Sequence, residues 1–439
     1  MVNLLGKLNR LRTNNYIKNA LILFKGSSIS QIIILAASPI LTRLYSPSDF
    51  GTLSGYTSIV AILLVISSLT YEKAIPLERD KELAFYVVTL SLGLVLFSSF
   101  FVLAIFGISN FQILNLLNLK LDTFTYIIIC ISLVGAGFFQ VLNYWSIRSQ
   151  LYKEISYAKV TQSTVNVSTQ LILKYVLVGS KGLLLGDMMG RIMGGGKLFR
   201  EYMKENQKFI KSFDRKKLGF VLYKYRKFPL YSSFSVFLNS VSLQVPSILL
   251  INYYGTEIAG WFSLSQKVVA IPLSLIAVSL GQAYYGEATK LLKADSKKEV
   301  LRLFEETTKK IILIVSIPII LFSAFAPKLF VIIFGAEWAS SGTFVQLLAV
   351  TFIIQAAILP VSQTLYIAEK QLLQLFWDLF RFILVVLAIT IPYKLGFGAE
   401  FVVGVYSIVM TITYLVLYLF IFQTLKNKSL QGGEINDKK

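Results

Sequence analysis

Long apolar runs recur through the whole chain and leave few choices for its fold. The stretch 85–107, FYVVTLSLGLVLFSSFFVLAIFG, carries no charged residue. A helix of about 20 mainly apolar residues crosses the hydrocarbon core of a bilayer, where the backbone can bond only to itself. Twelve such segments can be marked: 20–43, 51–71, 84–107, 123–146, 156–179, 182–200, 230–253, 259–285, 311–334, 344–367, 373–392 and 400–424. Only 15% of the 439 residues are charged, against about 25% in a soluble chain. The expectation is an all-α integral membrane protein.

The basic residues orient these spans. With the N-terminus inside, the outer loops hold only Arg43, Lys120, Lys181, Lys328 and Lys394. Eleven lysines and arginines between 197 and 227, and seven more from Lys290 to Lys310, fall inside. That asymmetry places both termini in the cytoplasm. The net charge of +20 is therefore spent on topology and not on a nucleic-acid face. Lys7, Arg10, Arg12 and Lys18 precede the first span without a small-residue cleavage site. They read as an amphipathic lead-in to a retained helix.

Composition also limits the chemistry. Histidine is absent and Cys130 is the single cysteine. The commonest metal ligand and general base are thus missing, as are an intrachain disulfide and a cysteine metal site. The longest outer loop, around 108–122, is too short for a catalytic domain. The reading is a protein that is not an enzyme, with no catalytic or metal-binding residue.

A basic linker over 201–229 separates an N-terminal lobe (1–200, spans one to six) from a C-terminal lobe (230–425, spans seven to twelve). A polar cytoplasmic tail follows at 426–439. The halves echo one another. Ser27-Ser28-Ile29-Ser30, Pro39, Tyr45 and Ser48-Asp49 are answered by Ser232-Ser233-Phe234-Ser235, Pro246, Tyr253 and Thr256-Glu257. Six helices return the chain to the same side. The copies would form a parallel repeat about an axis along the membrane normal, around a central cavity.

The stretch GDMMGRIMGGGKLFR (186–200) resembles a phosphate loop only superficially. A Walker motif ending at Gly196-Lys197 needs glycine at Arg191 and Ser or Thr at Leu198. Gly186, Gly190 and Gly194 instead share one helix face, where small residues let membrane helices approach closely. Asp187 and Arg191 lie four apart and can pair, as can Asp378 and Arg381 three apart. Such pairs read either as structural or as facing a wet cavity. Lys267 lies about 12 Å into span eight at 1.5 Å per residue, too deep to reach the surface with ease. Lys25 reads either as snorkelling to the inner face or as lining a cavity. Lys174 reads as snorkelling outward, and Glu72 with Lys73 as a solvated pair at the inner surface. Glu72, Asp187, Glu287 and Asp378 are the carboxylates available for coupling to H+ or Na+. Prolines 39, 246, 272, 318 and 360 mark expected kinks.

Six stretches carry a resemblance. They are SPILTRLYSPSDFGTLSGYTSIVAI (38–62), YEKAIPLERDKE (71–82), NYWSIRSQLYKEISYAKV (143–160), GLLLGDMMGR (182–191), KYRKFPLYSSFSVFLNSVSLQVPSILL (224–250) and FGAEWASSGTFVQLLAV (334–350). Together, and in this order, they resemble the Wzx-type polysaccharide-repeat-unit flippases of the MATE/MOP exporter superfamily. The resemblance implies two six-helix lobes around a cavity. It also implies a substrate, an undecaprenyl-pyrophosphate-linked oligosaccharide moved across the bacterial inner (plasma) membrane, with membrane lipids and a polysaccharide polymerase or chain-length regulator as partners. By position it assigns Lys25, Arg148, Arg226 and Lys267 to a basic substrate cavity. Arg191 and the GGGK ending depart from the family pattern. Two rivals stand beside this reading. A cation-coupled drug exporter of the same fold calls for an acidic cavity. A membrane oligosaccharide polymerase calls for a large outer loop or paired carboxylates.

Overall fold

The computed structural model describes residues 15–108, 122–293, 296–368 and 370–426. The lead-in with Lys7, Arg10 and Arg12, the outer loop with Lys120 and residues 427–439 of the polar tail lie outside the described residues. Among the described residues there is no strand. Twelve long helices follow one another: α1 (Asn15–Leu44), α2 (Pro47–Ser67), α3 (Lys81–Ile108), α4 (Thr123–Arg148), α5 (Tyr152–Leu173), α6 (Lys181–Glu205), α7 (Ser233–Tyr254), α8 (Thr256–Lys293), α9 (Lys297–Phe334), α10 (Ala339–Ile358), α11 (Gln371–Lys394) and α12 (Ala399–Lys426). Nine of the described helices are long and apolar enough to cross a membrane by composition alone. The other three are α5, α6 and α8; in α5 and α6 amides, hydroxyls and charges interrupt the apolar residues.

Local chemistry sets the helix ends. Pro47 opens α2 in the first turn, where its missing N–H costs nothing, and Ser46 and Asp49 close a reciprocal capping box around it. Asp122 caps α4 by accepting from the Thr125 amide. α2 stops at Ser67, where Leu69 (φ 50°) and Thr70 (φ 57°) turn left-handed before a 3-10 turn over Tyr71–Leu77. The tenth span was expected at 344–367; the helix instead runs Ala339–Ile358 and breaks before Pro360. Proline offers no N–H and disfavours helical geometry in the residue before it, so Pro360 ends the helix instead of kinking it.

Packing divides the chain into two compact units. The first contains residues up to Leu264 together with Val331–Trp338, and the second Ser265–Phe330 together with the chain from Ala339 on. In the first unit α5 packs along α6 and α1, α4 packs along α6, and α7 packs against α2. Hydroxyls and amides stitch the last pair: Ser58 donates to Gln244 at 3.0 Å and Ser240 to the Ala61 carbonyl at 3.2 Å. Ser48 and Thr256 share a hydrogen bond of 2.6 Å. The bonds from Ser58 and Ser240 join α7 to α2 within the first unit, although in sequence it follows the basic linker. In the second unit α12 packs against both α10 and α11.

The linker is docked, not loose. Lys224 and Tyr225 both donate to the buried Glu78 carboxylate. Lys217 meets Glu82 at 2.6 Å, and the Tyr71 hydroxyl donates to the Leu222 carbonyl at 3.0 Å. A π-helical turn at Phe228–Ser232, with Pro229 inside it, leads into α7.

Candidate functional site

The most extensive helix contact in the first unit joins α5 and α6, and the glycine stripe permits it. A Cβ on Gly190 would lie 2.7 Å from the Gln162 carbonyl oxygen, and one on Gly194 would lie 2.9 Å from the Gln162 Cβ. A Cβ on Gly186 would meet Gln170 and Asn166. Glycine at every fourth position thus lays α6 onto a row of amide side chains, Gln162, Asn166 and Gln170. Buried amides require partners, and Gln170 donates to the Leu183 carbonyl at 3.2 Å.

On the adjoining face of α6 Arg191 donates to Asp187 one turn away. Tyr56 from α2 stands beside both charges, and its hydroxyl lies 2.5 Å from the Ser132 Oγ of α4. Three helices therefore converge on one ion pair. The pair is not sealed: its side chains keep 14% and 18% of their surface open. In the second unit, Asp378 and Arg381 of α11 pair at 3.0 Å with only 5% and 3% open. Trp377 stacks under that guanidinium at 4.4 Å, and Tyr414 of α12 adjoins it. Burying an ion costs several kcal/mol before attraction recovers any of it. The Asp378–Arg381 pair is sealed inside the second unit, whereas the Asp187–Arg191 pair keeps part of its surface open.

A further cation, Lys159 on α5, donates to Ser27 of α1 at 2.9 Å. The sequence analysis did not single out Lys159, which lies three residues into the span expected at 156–179. The signal that it is internal is the run of polar residues beyond it, from Thr161 to Gln170, which keeps the helix face hydrophilic past the end. Lys25, two residues before Ser27, faces elsewhere: it is exposed on a stripe shared with the exposed Leu21, Ile29 and Ile32.

Glu72 differs from the solvated residue expected at the inner surface. It is fully buried, because the left-handed residues before it fold the 3-10 turn back onto α4. Its carboxylate accepts from Ser68 at 2.5 Å and from Gln140 at 2.8 Å. Both donors are neutral. Asp187 and Asp378 face arginines, and the exposed Glu287 meets Lys290 at 3.3 Å. Among the four carboxylates, Glu72 combines full burial with neutral hydrogen-bond partners.

The remaining cations are spread out. Arg148, at the end of α4, donates to the carbonyls of Glu78, Arg79 and Asp80 at 3.0, 3.2 and 3.3 Å. It secures the loop before α3. Arg226 is exposed on the linker and lies over the Tyr223 ring at 4.1 Å. Lys174 stands 4.6 Å over the Tyr45 ring. Lys267 is half-buried on α8, in the second unit.

The model of the polysaccharide biosynthesis protein family matches residues 40–343. The chain belongs to this family. Among solved structures it is similar to an inward-facing multidrug resistance MATE family transporter of the MOP superfamily, at 16% identity over 93% of this chain and 96% of that one, with a TM-score of 0.60. A MATE transporter from Vibrio cholerae is 12% identical over 94% of this chain and 97% of that one, with a TM-score of 0.59. A MOP superfamily transporter from Pyrococcus furiosus, described as having a binding pocket of reverse polarity, is 17% identical over 93% and 96%, with a TM-score of 0.52. No curated protein matches. The fold is that of the MATE transporters, and the protein is a multi-pass membrane protein of the polysaccharide biosynthesis family.

Proposed function

We propose that this family member is a flippase. It moves undecaprenyl-pyrophosphate-linked oligosaccharide repeat units from the inner to the outer leaflet of the bacterial plasma membrane, for a surface polysaccharide such as O-antigen, capsule or exopolysaccharide. One observation carries the reading: α5 brings a half-buried lysine to Ser27 of α1 and lays a row of amides along α6, whose adjoining face holds a partly open arginine. Sugars need hydroxyl and amide partners, and a diphosphate needs cations in a low-dielectric surround. The isoprenoid tail can stay in lipid while the head follows this polar path, by alternating access. A drug exporter that binds cations would be served by an acidic face, and this face is basic.

Lys159 is the cation we assign to the diphosphate in the first unit; Lys25, which faces away from it on the exposed stripe of α1, attracts the headgroup only through its charge. Lys267 is the corresponding assignment in the second unit. Arg148 and Arg226, engaged with the loop before α3 and with Tyr223, draw the anion towards the cytoplasmic mouth through their charge. Glu72 is the coupling carboxylate, taking up H+ or Na+. Deleting the gene should trap lipid-linked oligosaccharide on the inner leaflet, as read by leaflet-specific labelling. The wild-type gene should restore export, whereas Lys159→Gln and Lys267→Ala should not, at equal levels of inserted protein. Normal export by both variants would overturn the cationic site, and no accumulation in the deletion strain would overturn the flippase reading itself.

A further inference from the structure

Beyond the membrane-spanning part of α6 the helix is apolar on two adjoining faces. One face is core: Leu198 and Tyr202 are buried, Tyr202 stacks on Phe85 at 6.2 Å and meets Trp145 edge-on at 5.2 Å. The adjoining face is only partly used, by Phe199 against Phe138 at 6.3 Å. Phe199 and Met203, with Ile210 from the following short helix Gln207–Lys211, are each 38% exposed. They floor a groove of about 620 Å³ whose walls carry Arg200, Lys204 and Lys211. No acidic residue lines it, and among the described residues none of the three cations is in an ion pair.

Each feature alone is unselective. Cations on a surface attract any anion, and an exposed apolar strip accepts any hydrophobe. Joined in one groove, they select a molecule that is both: a phosphate for the cations and a hydrocarbon chain for the floor. The positive-inside asymmetry sets the groove on the cytoplasmic side, where α6 leaves the bilayer and anionic headgroups lie. We infer that this groove seats an anionic glycerophospholipid of the inner leaflet. Its phosphate lies against Arg200, Lys204 and Lys211, and one acyl chain lies over Phe199, Met203 and Ile210. The seat is independent of the substrate path and would hold the start of the linker against the membrane surface.

At about 1 kcal/mol per basic residue near an anionic surface, three cations correspond to roughly 150-fold in affinity. The test uses the full chain purified in neutral detergent and titrated with dioleoylphosphatidylglycerol, dioleoylphosphatidylcholine or inorganic pyrophosphate. Thermal shift and native mass spectrometry of retained lipid are the readouts. The phosphatidylglycerol should raise the unfolding temperature and stay bound. The phosphatidylcholine should do neither, and Arg200→Gln/Lys204→Gln/Lys211→Gln should weaken the response about 100-fold while keeping the ligand-free unfolding temperature. Phe199→Ser should weaken it as well. If the triple variant is not recovered monodisperse, Lys204→Glu alone makes the same comparison. Equal responses to both lipids, or an unchanged response in the variants, would sink the proposal. Displacement of the lipid by pyrophosphate would overturn it too, by giving the groove to the diphosphate headgroup instead.

Discussion

At the scale of single residues, what matters is whether a buried charge meets a charge or a dipole. Asp378 and Arg381 neutralise each other inside the second unit. Removing one leaves the other uncompensated, which costs about 3–5 kcal/mol. Asp378→Ala should therefore lower the unfolding temperature in detergent sharply, and the paired change Asp378→Leu/Arg381→Met should recover most of it. Among the described residues, Glu72 accepts from the Ser68 hydroxyl and the Gln140 amide. Its amide analogue preserves shape, so Glu72→Gln should fold normally and still bind substrate lipid. It should lose the dependence of transport on the pH or sodium gradient, measured in proteoliposomes. Retained gradient dependence would remove Glu72 from the coupling role.

At the scale of elements, the α5–α6 pair rests on side chains that are absent. Gly190→Val puts a branched carbon against the Gln162 carbonyl, and overpacking of this kind costs about 1–3 kcal/mol. Gly196 lies on the same helix with nothing within 4 Å of an added Cβ. Gly196→Ala should be neutral or stabilising by about 0.4–1 kcal/mol. The contrast between the two, read by thermal unfolding, separates packing from helix propensity. Linker docking has its own pH dependence. Burial pushes the Glu78 carboxyl up, but hydrogen bonds from Lys224, Tyr225 and the Asp80 amide outweigh it, so the pKa falls below its ordinary 4.5. The hydrogen bond to Glu78 raises the Lys224 pKa above its ordinary 10.5. A lowered carboxylate pKa stabilises the docked state above the unfolded value and is lost as pH falls through the folded one. Hydrogen-exchange protection factors in residues 206–232, taken relative to the intrinsic rate at each pH, should therefore be high at pH 7 and fall once the pH drops below 4.5. Lys224→Met should show fast exchange already at pH 7.

At the scale of the whole molecule, the prediction is topological. With Cys130→Ala as background, Ser180→Cys should react with an impermeant maleimide from outside the cell, and Lys208→Cys only after permeabilisation. The reverse pattern would invert the orientation and remove the phospholipid seat from the inner leaflet. Twelve helices, their order and their membrane character were legible in the residues, because a bilayer leaves a chain only the self-bonded helix and the apolar runs show where each one lies. The close approach along Gly186, Gly190 and Gly194 was legible too, since a four-residue spacing puts small residues on one face whatever the surroundings. The partners were not legible. Tyr56 and Ser132 beside Asp187, Lys159 against Ser27, Gln140 over Glu72 and the Arg148 clamp on residues 78–80 each join helices far apart in sequence. Periodicity along the chain says which face of a helix is polar. Which distant helix covers that face, and so which charge is sealed and which stays open, depends on how all the helices pack at once, and only the tertiary structure decided it.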